Sequence, residues 1–362
     1  MDGVDAVLVS FDDPRLPVQV RGHLHSPFPP DLRKALMALN GAAHNELHQA
    51  ALAANALSLR YAQAIDELLA RTSTEASAVR AVGAHGQTVR HRPGEFDGLG
   101  YTLQLLNGAL LAERCAIDVV CDFRNRDVAA GGQGAPLVPA FHAAVFHQPG
   151  LAQAVLNLGG IGNITLLSAD GRVGGFDCGP GNLLLDLWCE RHLGLAYDDG
   201  GRWAQSGQVD NALLSRLCAE PFLHQAPPKS TGRDLFNPQW LDGVLRQLPG
   251  TPSRSSADVQ ATLAELTVSS AADALRKHLP DAARLLVCGG GALNRHLMQR
   301  LAIQLPDVAV LSTEHAGLPP MQVEATAFAW LAQAFNRRQT SNCPEVTGAK
   351  GRRILGALHP AG

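Results

Sequence analysis

Apolar and polar positions alternate almost from the first residue, in GVDAVLVSF and again in LPVQVRGHLH, and this period of two predicts a pair of strands. From about 46 to 69 the apolar residues recur at i, i+3 and i+4, the spacing of one face of a long helix. Short strands are predicted at 79–84, 101–105 and 117–121, with a helix over 109–114. A second α/β half opens near Leu151 with AVLNLGGIGNITLLS, two apolar runs split by a glycine turn as in a hairpin, and VGGFD supplies its third strand. Helices at 183–192, 211–219 and 257–278 follow, then the strand ARLLVCGGG and the helix ALNRHLMQRLAIQL.

This order predicts an α/β protein of two lobes, and 362 residues are enough for two cores. The expected division is an N-terminal lobe over 1–150, completed by the helix near 322–336, a C-terminal lobe over 151–321, and an irregular tail over 337–362. A cleft between two such lobes is the expected place for a ligand.

Composition narrows the ligand. Apolar residues make up 46% and charged residues 17%, and the formal net charge of −3 gives no electrostatic reason to expect nucleic acid or a membrane surface. The seven cysteines are odd in number and never spaced as CxxC, which favours reduced thiols in a cytoplasm over disulfides or zinc. No apolar run approaches the ~18 residues of a membrane span, and the start carries Asp2 and Asp5 instead of a basic leader. A small soluble ligand is expected, with a homodimer left open.

Four glycine clusters, AAGGQGAPLVP, LNLGGIGN, FDCGPGN and VCGGGALN, each sit at or just past the end of an apolar run. Singly, each reads as a tight turn; together they raise the expectation of phosphate binding, because glycine lets backbone N–H groups approach an anion. GxxxxGK[ST] is absent, and GGGALN and GQGAPL fail the last position of GxGxxG, so Walker and Rossmann sites are poor readings. Asp177 ends a strand before Cys178-Gly179-Pro180-Gly181-Asn182, where it suits equally a general base or a turn aspartate satisfying backbone N–H groups.

His85, Gln87, Thr88 and His91 lie on and just beyond a predicted strand end, and DFRNRDVAAGGQG supplies Arg124, Arg126, Asp127 and Gln133. Such side chains orient a sugar or a carboxylate, although each alone is more often a solvated loop residue. His142 and His147, five apart, miss the helical metal-pair spacing and read as structural. KSTGRD at Lys229 to Asp234 reads as a phosphate contact or as exposed loop, and Glu324 opens an apolar helix whose N-terminal dipole an acid complements.

Taken in order, GAHGQTVRH, TLQLLNGALLAE, DFRNRDVAAGGQGAPLVPAFH, VLNLGGIGNIT, GFDCGPGNLLLD, PKSTGRDLFN, LLVCGGGALN and VEATAFAWLA closely resemble the anhydro-N-acetylmuramic acid kinase family over nearly the whole chain. The resemblance implies the fold of sugar kinases, actin and heat-shock chaperone ATPases: two ribonuclease-H-like lobes with an interlobe cleft. It implies ATP-dependent hydrolysis of the anhydro bridge of 1,6-anhydro-N-acetylmuramic acid with phosphorylation at O6, giving N-acetylmuramic acid 6-phosphate and ADP. Asp177 matches the catalytic aspartate. Asn157, Gly159 and Gly160 match the second phosphate hairpin, and Gly289, Gly290, Gly291 and Asn294 the adenosine side. His85, Gln87, Thr88, Asn107, Arg124, Asp127 and Glu324 lie in the blocks that carry the sugar. Mg²⁺ is implied, with Asp5 or Asp177 as ligands through water.

The family's first phosphate motif resembles GTSMDGVD after a strand, and here only Met1, Asp2, Gly3, Val4 and Asp5 match it. The expected fold therefore lacks the first N-terminal strand, with a chain that starts further upstream, or a weakened sugar- or nucleotide-binding homologue, as the corresponding expectations.

Overall fold

The structure, a computed structural model, describes residues 3–11, 18–42, 44–248 and 254–362. Met1 and Asp2, two of the expected nucleotide residues, lie outside these. The chain divides into two compact units, residues 1–145 with 324–362 and residues 146–323, and both are mixed α/β.

In the first unit β1 (Gly3–Ser10) pairs antiparallel with β2 (Gln19–Pro27), with Asp5 opposite His25 and a register shift at Leu8/Val9. Val4 and Leu24 point from this ribbon into a cluster with Ala53, Leu57, Ala64 and Leu68, one face of the helix Glu46–Arg71. That helix keeps the predicted 3.6-residue periodicity because its apolar stripe has a sheet to cover.

β3 (Val82–Gly83) runs parallel to β6 (Val119–Cys121), while β4 (Gln87–Pro93) and β5 (Gly100–Leu105) form a separate antiparallel ribbon. The expected strand at 79–84 is thus two residues long after a 3₁₀ turn, and Gln87, Thr88 and His91 lie within a strand of their own.

In the second unit one sheet has the order β11-β10-β7-β8-β9. β7 (Gln153–Leu158), β8 (Ile161–Leu167) and β9 (Val173–Pro180) form an antiparallel meander, and β10 (Arg284–Cys288) and β11 (Ala309–Ser312) extend it in parallel from β7. Ala154, Leu156, Leu158, Ile164, Phe176 and Val287 face a large core that includes Leu263, Leu266 and Leu275 of the long helix Ser256–His278. A capping box fixes the start of this helix, with the Ser255 side chain accepting from the Asp258 N–H and Asp258 answering from the other side.

The chain then returns to the first unit. The helix Val323–Asn336 contributes Phe328, Leu331 and Ala332 to a cluster with Val120, Phe123 and Leu355, and β12 (Ala357–His359) pairs antiparallel with β6. The expectation of an irregular tail over 337–362 is corrected here. The segment carries a helical turn at Pro344–Thr347 and a strand, because β6 offers it an open edge and Asp127 offers acceptors to Asn342 and Thr347.

Candidate active site

The register of the second unit's sheet lines up polar side chains that the sequence spreads over 20 residues. Asn157 on β7 stands opposite Asn163 on β8, and Asn163 opposite Asp177 on β9. Directly opposed residues share a face, and their neighbours Leu156, Leu158, Ile164, Phe176 and Cys178 turn to the core on the other. The result is a half-buried polar row, Asn157, Asn163 and Asp177, across three strands.

Three glycine turns are stitched together at the end of this row. Gly181 and Leu183 donate their N–H groups to Gly160 O at 3.0 Å, and Asn182 donates its own to Gly159 O at 2.8 Å and its side-chain amide to Leu158 O at 2.9 Å. Gly181 leaves no room for a Cβ against Gly159 O, and its own carbonyl accepts from Thr267 Oγ1 of the long helix at 2.9 Å. Gly289, at φ +76°, brings the turn after β10 against the hairpin: a Cβ there would stand 2.5 Å from Asn157 Oδ1 and 2.9 Å from Leu158 O. Gly159, Gly160, Gly289, Gly290 and Gly291 thus belong to one backbone cradle. Asn294 has a different local duty, capping the helix Arg295–Gln304 by accepting from Leu297 N at 3.1 Å.

Asp177 is held from the loop between the helices Pro221–His224 and Pro238–Arg246. Its Oδ2 accepts from Ser230 Oγ at 2.8 Å and from Thr231 N at 2.9 Å, and its own N–H donates to Lys229 O at 3.2 Å. The Lys229 ammonium is turned into the protein, donating to Phe222 O at 3.1 Å and Leu223 O at 3.0 Å over the Phe222 ring. Its burial lowers its pKa, with Cys178 and Asp177 acting against the shift. Lys229 is therefore an internal tether, and the phosphate-contact reading of this loop does not hold for its side chain.

In the first unit His85 and Arg124 form a fixed pair. Arg124 Nε donates to His85 Nε2 at 3.0 Å, Arg124 Nη1 donates to Gly134 O at 2.7 Å, and His85 Nδ1 lies 2.8 Å from Gly86 O. The ring that accepts at Nε2 carries its proton on Nδ1, so this is neutral histidine; burial and then the Arg124 charge lower its pKa to about 3. Gln87 donates to Thr88 O at 3.2 Å, and Thr88 Oγ1 accepts from Gln104 at 3.2 Å. Asn107 caps the helix Gly108–Cys115, accepting from Leu110 N at 3.0 Å, and donates to Asn55 at 2.8 Å.

Glu324 is open to solvent, which limits its shift, while the protein mass around it sets the direction: desolvation raises its pKa, Arg124 opposes this and Asp5 adds to it. Desolvation and then Glu324 also raise the pKa of Tyr61, which the sequence reading passed over. Asp5 Oδ1 lies 2.9 Å from His25 Nδ1 and 3.5 Å from His23 Nε2.

Two expected contacts have their side chains committed elsewhere. Val4 is buried in the core, leaving only its backbone for a ligand, and Gly3 is pressed against Ser26 and Pro27 of the paired strand. Asp127 is fully buried, with Oδ2 accepting from Gly134 N at 2.8 Å and Oδ1 from Asn342 Nδ2 at 2.8 Å and Thr347 Oγ1 at 2.9 Å.

Among the described residues no three His, Cys, Asp or Glu side chains come together as a metal cage, and no helix is long and apolar enough to cross a membrane. Asn163 and Ser230 are the site residues the sequence reading missed. Asn163 had a signal: it mirrors Asn157 about the glycine turn of LNLGGIGN, and a hairpin makes mirrored residues neighbours.

The family model for anhydro-N-acetylmuramic acid kinase matches residues 1–361. The anhydro-N-acetylmuramic acid kinase of Variovorax paradoxus is 57% identical over 366 residues, covering 100% of this chain and 96% of the relative. Those of Ralstonia nicotianae and Cupriavidus pinatubonensis are 54% and 55% identical, covering 100% and 99% of this chain and 95% and 96% of the relatives. A solved structure, the activator of the 2-hydroxyisocaproyl-CoA dehydratase from Clostridium difficile with bound ADPNP, is far more distant, with a TM-score of 0.37 and 12% identity over 68% of this chain and 91% of its own. The chain belongs to the anhydro-N-acetylmuramic acid kinase family.

Proposed function

We propose that the chain is an ATP-dependent sugar kinase that opens the anhydro bridge of 1,6-anhydro-N-acetylmuramic acid and phosphorylates O6, with Asp177 as its base. The observation that carries the assignment is the placement of Asp177: a carboxylate within β9, three residues before the strand's end, with one oxygen held by the loop, in a polar row beside the glycine cradle.

Asp177 takes a proton from the water that attacks the anomeric carbon. The C1–O6 bond breaks with its electron pair on O6, which attacks the γ-phosphorus of ATP; the bond to the β–γ bridging oxygen breaks and ADP leaves. The proton on Asp177 then passes to solvent. Only one base is required, because phosphoryl transfer asks mainly for positioning and charge neutralisation.

The cradle of Gly159, Gly160, Gly181 and Gly289 suits the phosphates, since close packing at Gly181 and Gly289 holds the turns together and glycine lets backbone N–H groups approach an anion. Mg²⁺ supplies charge neutralisation on the transferring group. Asp5 or Asp177 would reach that ion through water. In the first unit, Arg124, locked by His85 and Gly134, offers a guanidinium suited to the sugar's carboxylate, with Gln87, Thr88 and Glu324 as further sugar contacts. The seven cysteines are all free thiols, in keeping with a cytoplasmic enzyme.

The test is Asp177→Asn. Losing a general base lowers turnover by about 10²- to 10⁴-fold, so ADP release with the anhydro sugar should collapse while calorimetry still records sugar binding. Near-normal turnover would remove Asp177 from the role.

A further inference from the structure

The loop Lys229-Ser230-Thr231 is fastened to the strand that carries Asp177, and the reaction just described gives it no task. Lys229 O accepts from Asp177 N at 3.2 Å, and the Lys229 ammonium is tied to Phe222 O and Leu223 O and lies 4.7 Å and 5.7 Å from the centres of the Phe222 and Phe176 rings. A long side chain held at both ends leaves the following residues little freedom. Ser230 then delivers a hydroxyl to Asp177 Oδ2 at 2.8 Å and Thr231 a backbone N–H to the same oxygen at 2.9 Å.

Ser230 itself is exposed, so its hydroxyl is not present to satisfy a buried group. The one oxygen it serves belongs to the carboxylate assigned as base. Two donors on one oxygen hold the carboxylate against rotation about its terminal torsion, which is otherwise broad, and they stabilise its charged form.

We infer that Ser230 is a positioning residue for the kinase reaction, fixing the orientation of the Asp177 carboxylate together with the Thr231 N–H. The inference rests on Asp177 being the base.

Lys229 approaches Asp177 from the same loop, and the neutral thiol of Cys178, pushed up to about 12 by burial and then by Asp177, is its neighbour on β9. Lys277 and His278, on the long helix, are linked to it through Lys229. None of these supplies a hydroxyl to Oδ2, and Ser230 does.

The experiment compares Ser230→Ala, Ser230→Thr and Asp177→Asn in the full chain, following ADP release with ATP and the anhydro sugar from pH 5 to 9. Loss of a hydrogen bond to a charged group should lower kcat for Ser230→Ala by about tenfold, with both KM values within about twofold, the pattern of a lost transition-state interaction. Ser230→Thr, which keeps the hydroxyl, should restore the rate. Thermal unfolding should be unchanged. If Asp177→Asn is inactive but Ser230→Ala keeps its kcat, or threonine fails to restore it, the positioning role is overturned and Asp177 stands. If Asp177→Asn turns over normally, the base assignment fails first.

Discussion

Asn163 stands directly opposite Asp177 across β8 and β9, at a register shift between Gly162 and Asn163. The extra residue of that shift, Cys178, is on β9 next to Asp177; a bulge bends its strand and re-aims the side chains beside it, here the carboxylate assigned as base.

That pairing makes Asn163 a sensitive position. Directly opposed side chains have Cβ atoms about 4.5–5.5 Å apart, and like charges there repel. Asn163→Asp should therefore impair turnover more than Asn163→Ala, and should move the acid limb of the kcat profile to higher pH where alanine does not. Profiles of the two variants over pH 5 to 9 check this, and identical limbs would contradict it.

Gly289 is the second. Its φ of +76° with ψ of −179° lies in a region almost confined to glycine, which costs an L residue about 1–3 kcal/mol, and a Cβ would press on Asn157 Oδ1 and Leu158 O. Gly289→Ala should lower stability by about that amount or more and raise KM for ATP more than KM for the sugar. Chemical denaturation and steady-state kinetics measure the two effects; an unchanged KM for ATP would detach this turn from the nucleotide.

Asp127 and Arg124, three residues apart in the sequence, should separate cleanly. Truncating Asp127 strands the buried donors of Gly134, Asn342 and Thr347, at about 1–3 kcal/mol for each group left unsatisfied. Asp127→Ala should chiefly unfold the first unit, whereas Arg124→Ala should keep its thermal midpoint within a few degrees and raise KM for the anhydro sugar. Equal loss of stability in both would argue against a binding role for Arg124.

The acid response of the fold is predictable from His142. Burial lowers its pKa from 6.5 to about 3, so the folded state refuses a proton that the unfolded chain accepts. Its contribution to stability is complete above about pH 6.5, falls as the pH drops below that, and is gone near pH 3. His142→Leu should flatten the decline of unfolding free energy between pH 6.5 and 4, by at most about 1.4 kcal/mol per pH unit for one proton. An unaltered slope would place the proton uptake elsewhere.

The parts legible in the sequence were those whose stability is local. The helix Glu46–Arg71 shows its apolar stripe and the β7–β8 hairpin its mirrored runs, whereas Asp177, expected to end its strand, lies within β9 because the pairing with β8 carries on to Pro180. The family resemblance carried by the ordered blocks is borne out by the match over 1–361. What stayed hidden depends on partners far along the chain. Ser230 meets Asp177 across 53 residues, and β12 meets β6 across more than two hundred, so no window of sequence contains either relationship. β4 was obscured because QTVRHRP is too polar to announce a strand; its ladder with β5 makes it one.

The pairing of β12 with β6 also fixes an order of events during synthesis. Residues 146–323 form an uninterrupted unit, whereas the first unit is split around it. On the ribosome the second unit can close as soon as its own residues emerge, while the edge of β6 and the carboxylate of Asp127 wait for the last forty or so residues to be made. The half of the protein translated first is thus the half finished last, and a nascent chain halted before residue 342 would carry a completed five-stranded sheet in its second unit and a first unit lacking two donors to Asp127 and keeping an open strand edge.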